Sequence, residues 1–201
     1  MKREHDGPVA LSVHEAGHLV IAHSQEALTV GESIWSDQGF TYTNVGSEAD
    51  WTKPAEKVRS IAAQVAVAVA GGAAELVVHR GVLPEELTVE DVLAETGSID
   101  FQLAQEWLAL QRHDPSQDAI EAEVLDVFHL VAAALADRGT SALVSELADR
   151  LLARRRREEN GTVRLGSTEP EVAALLAGAR LPAEYPLTRT TTANLISVTT
   201  H

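Results

Sequence analysis

Cysteine is absent from the 201 residues of this chain. That excludes a disulfide framework and any thiolate metal site, so a metal ion would have to be held by histidine and carboxylate. It also fits a cytoplasmic setting. Aromatic residues are scarce, 4 % of the total against 45 % apolar residues overall, and Ala, Val and Leu carry the hydrophobicity. Helices packed closely on small side chains are the expected outcome. Basic residues are outnumbered: 16 Lys and Arg stand against 30 Asp and Glu, a net charge of −14. Such a surface repels phosphate backbones and anionic headgroups, which argues against nucleic acid. No continuous apolar signal segment follows the charged N-terminus, and the longest apolar run, Ile61 to Ala74, is shorter than a membrane span, so no membrane insertion is expected. Missing too is a Gly-x-x-x-x-Gly-Lys-Ser/Thr phosphate loop.

What is present reads as a run of helices interrupted once by strands. Pro8 suits the first turn of a helix, and the apolar positions from Val9 to Ala22 predict a well-buried one reaching His23. Val30, Ile34, Trp35, Phe40, Tyr42 and Val45, broken by Asp37, Gln38 and Gly39, predict a small hairpin or short sheet. A second long helix is expected over 51–79, opened by Pro54. Gly71 and Gly72 lie inside it at a cost in propensity, which implies a close backbone approach there. Residues 81–95 read as a connector with one turn of helix. Further helices are expected over 98–113, over 117–137 and, after Gly139, over 141–157. Arg154 to Arg157 read as basic residues complementing that helix's C-terminal dipole. Residues 1–160 form the expected domain. Residues 161–201 are an expected C-terminal extension, partly disordered or draped over it, with a short helix over 171–179.

One motif carries chemistry. His14 and His18 are four residues apart, about 400° of helical rotation, so both rings lie on one face about a turn apart. That spacing lets two imidazoles reach one zinc ion, while Glu15 is placed to act as a general base without ligating it. Gly17 offers no side chain and allows another element to pack close beneath the site. A catalytic zinc needs a third protein ligand. His23 falls about 140° away around the helix and reads as a surface or capping residue. His79, His113 and His129 are isolated. Among carboxylates, Asp100 and Glu75 stand out; each also has a plain structural explanation, Asp100 as an acid at a helix N-terminus and Glu75 as a solvated helix residue.

Three separated segments resemble the peptidase domain of the FtsH-type ATP-dependent zinc proteases. They are Val13-His14-Glu15-Ala16-Gly17-His18; Gly71-Gly72-Ala73-Ala74-Glu75; and Thr96-Gly97-Ser98-Ile99-Asp100-Phe101 followed by Ala104. The second and third are each one residue shorter than the family pattern. The resemblance spans about residues 8–137 and implies a mainly α, zincin-like helical bundle with a small β-hairpin or short sheet near 29–45. It implies Asp100 as third zinc ligand and Glu75 as a group that orients a ligand. It also implies Gly39, Phe40, Thr41 and Tyr42 as an edge strand that receives polypeptide substrate. The family's ATPase module and membrane helices have no counterpart in these residues. The expectation is therefore an ATP-independent zinc endopeptidase acting on flexible polypeptide, with a homo-oligomer or a separate ATPase partner left open. A catalytically weak zinc- or peptide-binding module and a helical interaction domain are the competing readings. No Tyr or His is placed well enough to name as the oxyanion-stabilising group.

Overall fold

The structure, a computed structural model, describes residues 7–36, 40–88, 91–92, 99–111, 116–155, 157, 162–178, 181–182 and 185. The expected mainly α fold with a short sheet is what the chain adopts. Among the described residues there are six α-helices: α1 (Pro8–Ser24), α2 (Pro54–Ala74), α3 (Ile99–Ala109), α4 (Gln117–Ala136), α5 (Arg138–Arg155) and α6 (Pro170–Leu176). Three strands, β1 (Thr29–Ser36), β2 (Phe40–Gly46) and β3 (Thr162–Gly166), form one antiparallel sheet in the order β2-β1-β3.

Helix α1 lies at the centre. Every residue from Ser12 to Ala22 is buried, because α2, α5 and the sheet all pack against it. Leu19 and Ile21 are fully buried, and each such side chain contributes about 1.5–3 kcal/mol of transfer free energy. Helix α2 is the other central element. Over Pro54–His79 it is long and apolar enough to cross a membrane by length and composition, which corrects the expectation that no run reaches that length. It is nevertheless a core helix: 89 % of its apolar window is buried against the rest of the fold. The two helices meet through small residues. A Cβ on Gly17 would lie 2.6 Å from the Ala74 Cβ and 2.7 Å from the Ala70 carbonyl oxygen, so a hydrogen there is what sets their separation.

Three boundaries differ from the sequence expectation. The α-helical part of α2 ends at Ala74 and passes directly into a π-helical turn, Glu75–His79, closed by the Arg80 N–H donating to the Glu75 carbonyl at 3.0 Å. Gly139 does not separate α4 from α5. The break is at Asp137, whose carboxylate accepts from the N–H groups of Gly139 and Thr140 and so starts α5, as acidic N-caps do. The third difference is β3, which the sequence reading did not contain. It lies in the stretch expected as an extension, yet Val163 and Leu165 are buried in the same core cluster as α1 and α2, and so are Val172 and Leu176 of α6. Among the described residues of the connector over 81–95, Pro84–Glu86 form a 3-10 turn and residues 91–92 are helical. The expected tail over 187–201, together with His113, lies outside the described residues.

Two residues of the basic run that ends α5 have partners elsewhere in the fold. Arg154 pairs with Glu169 and donates to the Arg164 carbonyl at 2.7 Å, while the Arg155 guanidinium sits 4.2 Å from the buried Trp35 ring.

Replacing Gly17 by Ala tests the helix contact. Alanine gains about 1 kcal/mol of helix propensity, but the new methyl meets backbone and a buried Cβ that cannot rotate away. Overpacking of this kind costs about 1–3 kcal/mol. Denaturant unfolding of Gly17→Ala should show a lower midpoint than wild type; an equal or higher midpoint would contradict the packing described here.

Candidate metal centre

The site is assembled from three helices and one turn. His14 and His18 project from α1 on the same face, their ring centroids 4.6 Å apart and their planes at 73°. His14 Nδ1 lies 2.6 Å from Glu75 Oε1, and His18 Nδ1 lies 2.6 Å from the Val67 carbonyl of α2. A carboxylate and a carbonyl can only accept, so both Nδ1 atoms are the protonated donors. In its neutral form each ring then presents a bare Nε2 lone pair, and these two atoms are 3.0 Å apart. Two lone pairs at that distance repel unless a positive centre lies between them.

Asp100, in the first turn of α3, completes the convergence. Its Oδ2 is 3.0 Å from His14 Nε2 and 3.7 Å from His18 Nε2. For a four-coordinate ion with bonds of about 2.0–2.1 Å, tetrahedral geometry separates the ligand atoms by about 3.3 Å. The observed separations, 3.0, 3.0 and 3.7 Å, bracket that value. His14, His18 and Asp100 form a group that can hold a metal ion.

Room for this arrangement comes from α2. A Cβ on Gly71 would lie 2.3 Å from His14 Nε2, so the imidazole fits only over a glycine. This is the close approach that the two glycines of α2 imply. Glu75 opens the π-helical turn and is buried; single π turns inserted in α-helices recur at functional sites. Its carboxylate fixes the His14 ring and its tautomer, the part that orienting carboxylates play behind ligand histidines.

Electrostatics point the same way. Burial works against charge on His14, but its hydrogen bonds to Asp100 and Glu75 outweigh that and raise its pKa to about 10. Burial alone would push Asp100 up; the hydrogen bonds from His14 and His18 win and hold it well below the usual carboxylate range. Three carboxylates, from Glu15, Glu75 and Asp100, are thus gathered around two imidazoles in an otherwise apolar interior. Such a cluster favours a cation, either a proton or a metal ion.

Glu15 is next to His14 on α1 and is 1 % exposed. The Thr43 hydroxyl of β2 donates to its Oε2 at 3.2 Å, and Thr43 Oγ1 is 2.8 Å from Ser33 Oγ on β1. Sequence reasoning missed both hydroxyls, and no local signal marks them. It also missed the Val67 carbonyl, because a backbone atom has no sequence signature. His23 is exposed on the last turn of α1, and neither it, His79 nor His129 belongs to the group. Phe40, Thr41 and Tyr42 lie on β2, and the Tyr42 side chain is exposed; Gly39, Thr96, Gly97 and Ser98 lie outside the described residues. No family model matches this chain, and no curated protein matches it.

Two outcomes are expected from this geometry. His14→Ala, His18→Ala and Asp100→Ala should each abolish stable metal binding, and Gly71→Ala should weaken it at least about tenfold by displacing the His14 ring. Metal content after dialysis reads both, and normal content in Asp100→Ala would remove that residue from the ligand set. The second outcome concerns pH. A ligating His14 must give up the proton it holds below about 10, so metal and proton compete. Binding near pH 7 should release about one proton, and apparent affinity should rise by up to about tenfold per pH unit. In the metal-free protein the sign is reversed. The stability contributed by charged His14 is complete below its unfolded value of 6.5 and is lost as pH rises through about 10. Calorimetric titration in buffers of different ionisation enthalpy measures the proton; an affinity flat between about pH 7 and 9 would contradict this competition.

Proposed function

We propose that this chain is a zinc-dependent endopeptidase that hydrolyses peptide bonds of flexible or unfolded polypeptides without ATP. The observation that carries the reading is the meeting of two Nε2 atoms and one carboxylate oxygen, both Nδ1 atoms being tied down elsewhere, beside the buried Glu15. Two imidazoles and one carboxylate, with no thiolate, suit zinc among the common divalent ions. Bound there, zinc supplies Lewis-acid polarisation of a carbonyl and acidifies water. The chain's own residues do the rest. The Glu15 carboxylate takes the proton from the attacking water and passes it to the leaving amine. Glu75 and the Val67 carbonyl keep the two rings in the tautomer that leaves Nε2 free.

Substrate reception is assigned to β2. Among the described residues it is an edge strand of the sheet, and an edge strand is where an extended polypeptide can add by β-augmentation. Residues 39–42 are the segment proposed to receive it. Only extended chain can pair in this way, and these residues contain no phosphate loop with which to drive unfolding. Any such drive would come from a separate ATPase partner. A cytoplasmic setting accords with the absence of cysteine.

The alternative is a catalytically weak zinc- or peptide-binding module of the same fold. The observation on its side is the near-complete burial of Glu15, since a base must reach water.

Activity on unfolded substrate separates the two. Metal-loaded protein should cleave casein or another denatured polypeptide slowly, with no response to ATP and little attack on a tightly folded domain. Glu15→Gln should keep zinc and fold while losing at least about a hundredfold in turnover, since general-base catalysis contributes about 10²–10⁴. Zinc-loaded wild type that cleaves no unfolded substrate favours the binding module.

A further inference from the structure

Strand β2 has two faces, and the chemistry assigned above uses only its outer edge. On its inner side, towards α1, Thr43 is half-buried and in register with Ser33 of β1. Ser33 is fully buried. Its hydroxyl oxygen and that of Thr43 are 2.8 Å apart, and the Thr43 hydroxyl reaches Glu15 Oε2 at 3.2 Å. A carboxylate has no proton to give, so the direction of the chain is fixed. Thr43 donates to Glu15, and Ser33 donates to Thr43.

Glu15 lies beside His14, and Ala16, Leu19 and Val20 further along α1 are fully buried. A buried carboxylate with a single anchored oxygen has one remaining oxygen for other work. The hydrogen bond from Thr43 holds this side chain to another element.

We propose that Thr43 is a positioning residue for the Glu15 base, held in turn by Ser33. It ties the orientation of that carboxylate to the same strand that receives the polypeptide. The inference rests on the peptidase reading and deepens it. Strand β2 then performs two alignments at once. Its outer edge sets the register of the substrate backbone, and its inner hydroxyl fixes Oε2 of Glu15 so that Oε1 faces the reaction. A base and a substrate referred to one rigid strand keep their relative position when the rest of the fold fluctuates, and small misplacements of reacting groups cost large factors in rate.

Thr43→Val tests this, because valine keeps the shape and β-branching of threonine and removes only the hydroxyl. Zinc content should equal that of wild type, since the Thr43 hydroxyl bonds to Glu15 and Ser33 and to none of the three proposed ligands. With an unfolded peptide substrate kcat should fall about 10–100-fold while KM stays within about twofold, the pattern of an interaction that serves the reacting group and not substrate binding. Thr43→Ser restores the hydroxyl and should recover most of the lost kcat, and Ser33→Ala should give a smaller loss in the same direction. A purely structural hydroxyl would lower thermal stability in Thr43→Val without a selective loss of kcat. Wild-type kcat in zinc-loaded Thr43→Val overturns the assignment while leaving the peptidase reading intact. Absence of turnover in zinc-loaded wild type overturns both. If Thr43→Val fails to fold, Thr43→Ser and Ser33→Ala carry the test: low kcat in the serine variant, or none lost in Ser33→Ala, counts against the relay.

Discussion

The distance between α1 and α2 governs the rest of this molecule. It is set by Gly17 against Ala70 and Ala74, and by Gly71 against the His14 ring, where one added methyl would enter van der Waals space already filled. The same separation brings the Val67 carbonyl and the Glu75 carboxylate within hydrogen-bond reach of His18 and His14. Packing and ligand orientation are therefore one constraint. A shift of α2 outward would loosen the helix contact and lengthen the hydrogen bonds of both imidazoles together.

Burying this much charge carries a cost that the fold offsets by multiplicity of partners. A lone carboxylate in an apolar interior is expensive, and removing one member of a buried pair costs about 3–5 kcal/mol. Here Glu75 faces His14, Asp100 faces both rings, and Glu15 accepts from Thr43. The partners come from α1, α2, α3, the π turn and β2, so the cluster is complete only when all of them are docked. What the cluster still favours, once docked, is positive charge between the two Nε2 atoms. The raised pKa of His14 and the lowered one of Asp100 are two expressions of that demand.

The sheet is small, yet its order has consequences. With β1 in the middle, β3 covers one side of it, and among the described residues β2 lies at an edge beside α1. Val163 and Leu165 bury themselves by joining β1, so the stretch after residue 161 contributes to the core that holds the site. The same arrangement places the Thr43 hydroxyl of β2 within reach of Glu15.

Local sequence determined a good part of this. The i, i+4 histidines with Glu15 between them depend only on helical periodicity, and the apolar run around them already implies burial on all sides. Gly17 and the paired glycines of α2 foretell a close approach, because glycine inside a helix is unfavourable unless something needs its space. The short sheet near 29–45 follows from β-branched and aromatic residues flanking a turn. For Asp100 and Glu75 only the resemblance implied a part at the site; as isolated acids on helices they have no local feature that separates a ligand from a solvated residue. Tertiary structure decided their parts, since Asp100 is 82 residues beyond His18 in sequence and reaches it only when α3 docks. It also decided what no pattern could carry: the Val67 carbonyl behind His18, the Thr43 hydroxyl on Glu15, and the pairing of β3 with β1. Each of these is a contact between elements far apart in the chain, and its existence depends on how the elements pack, a property that periodicity and propensity do not encode.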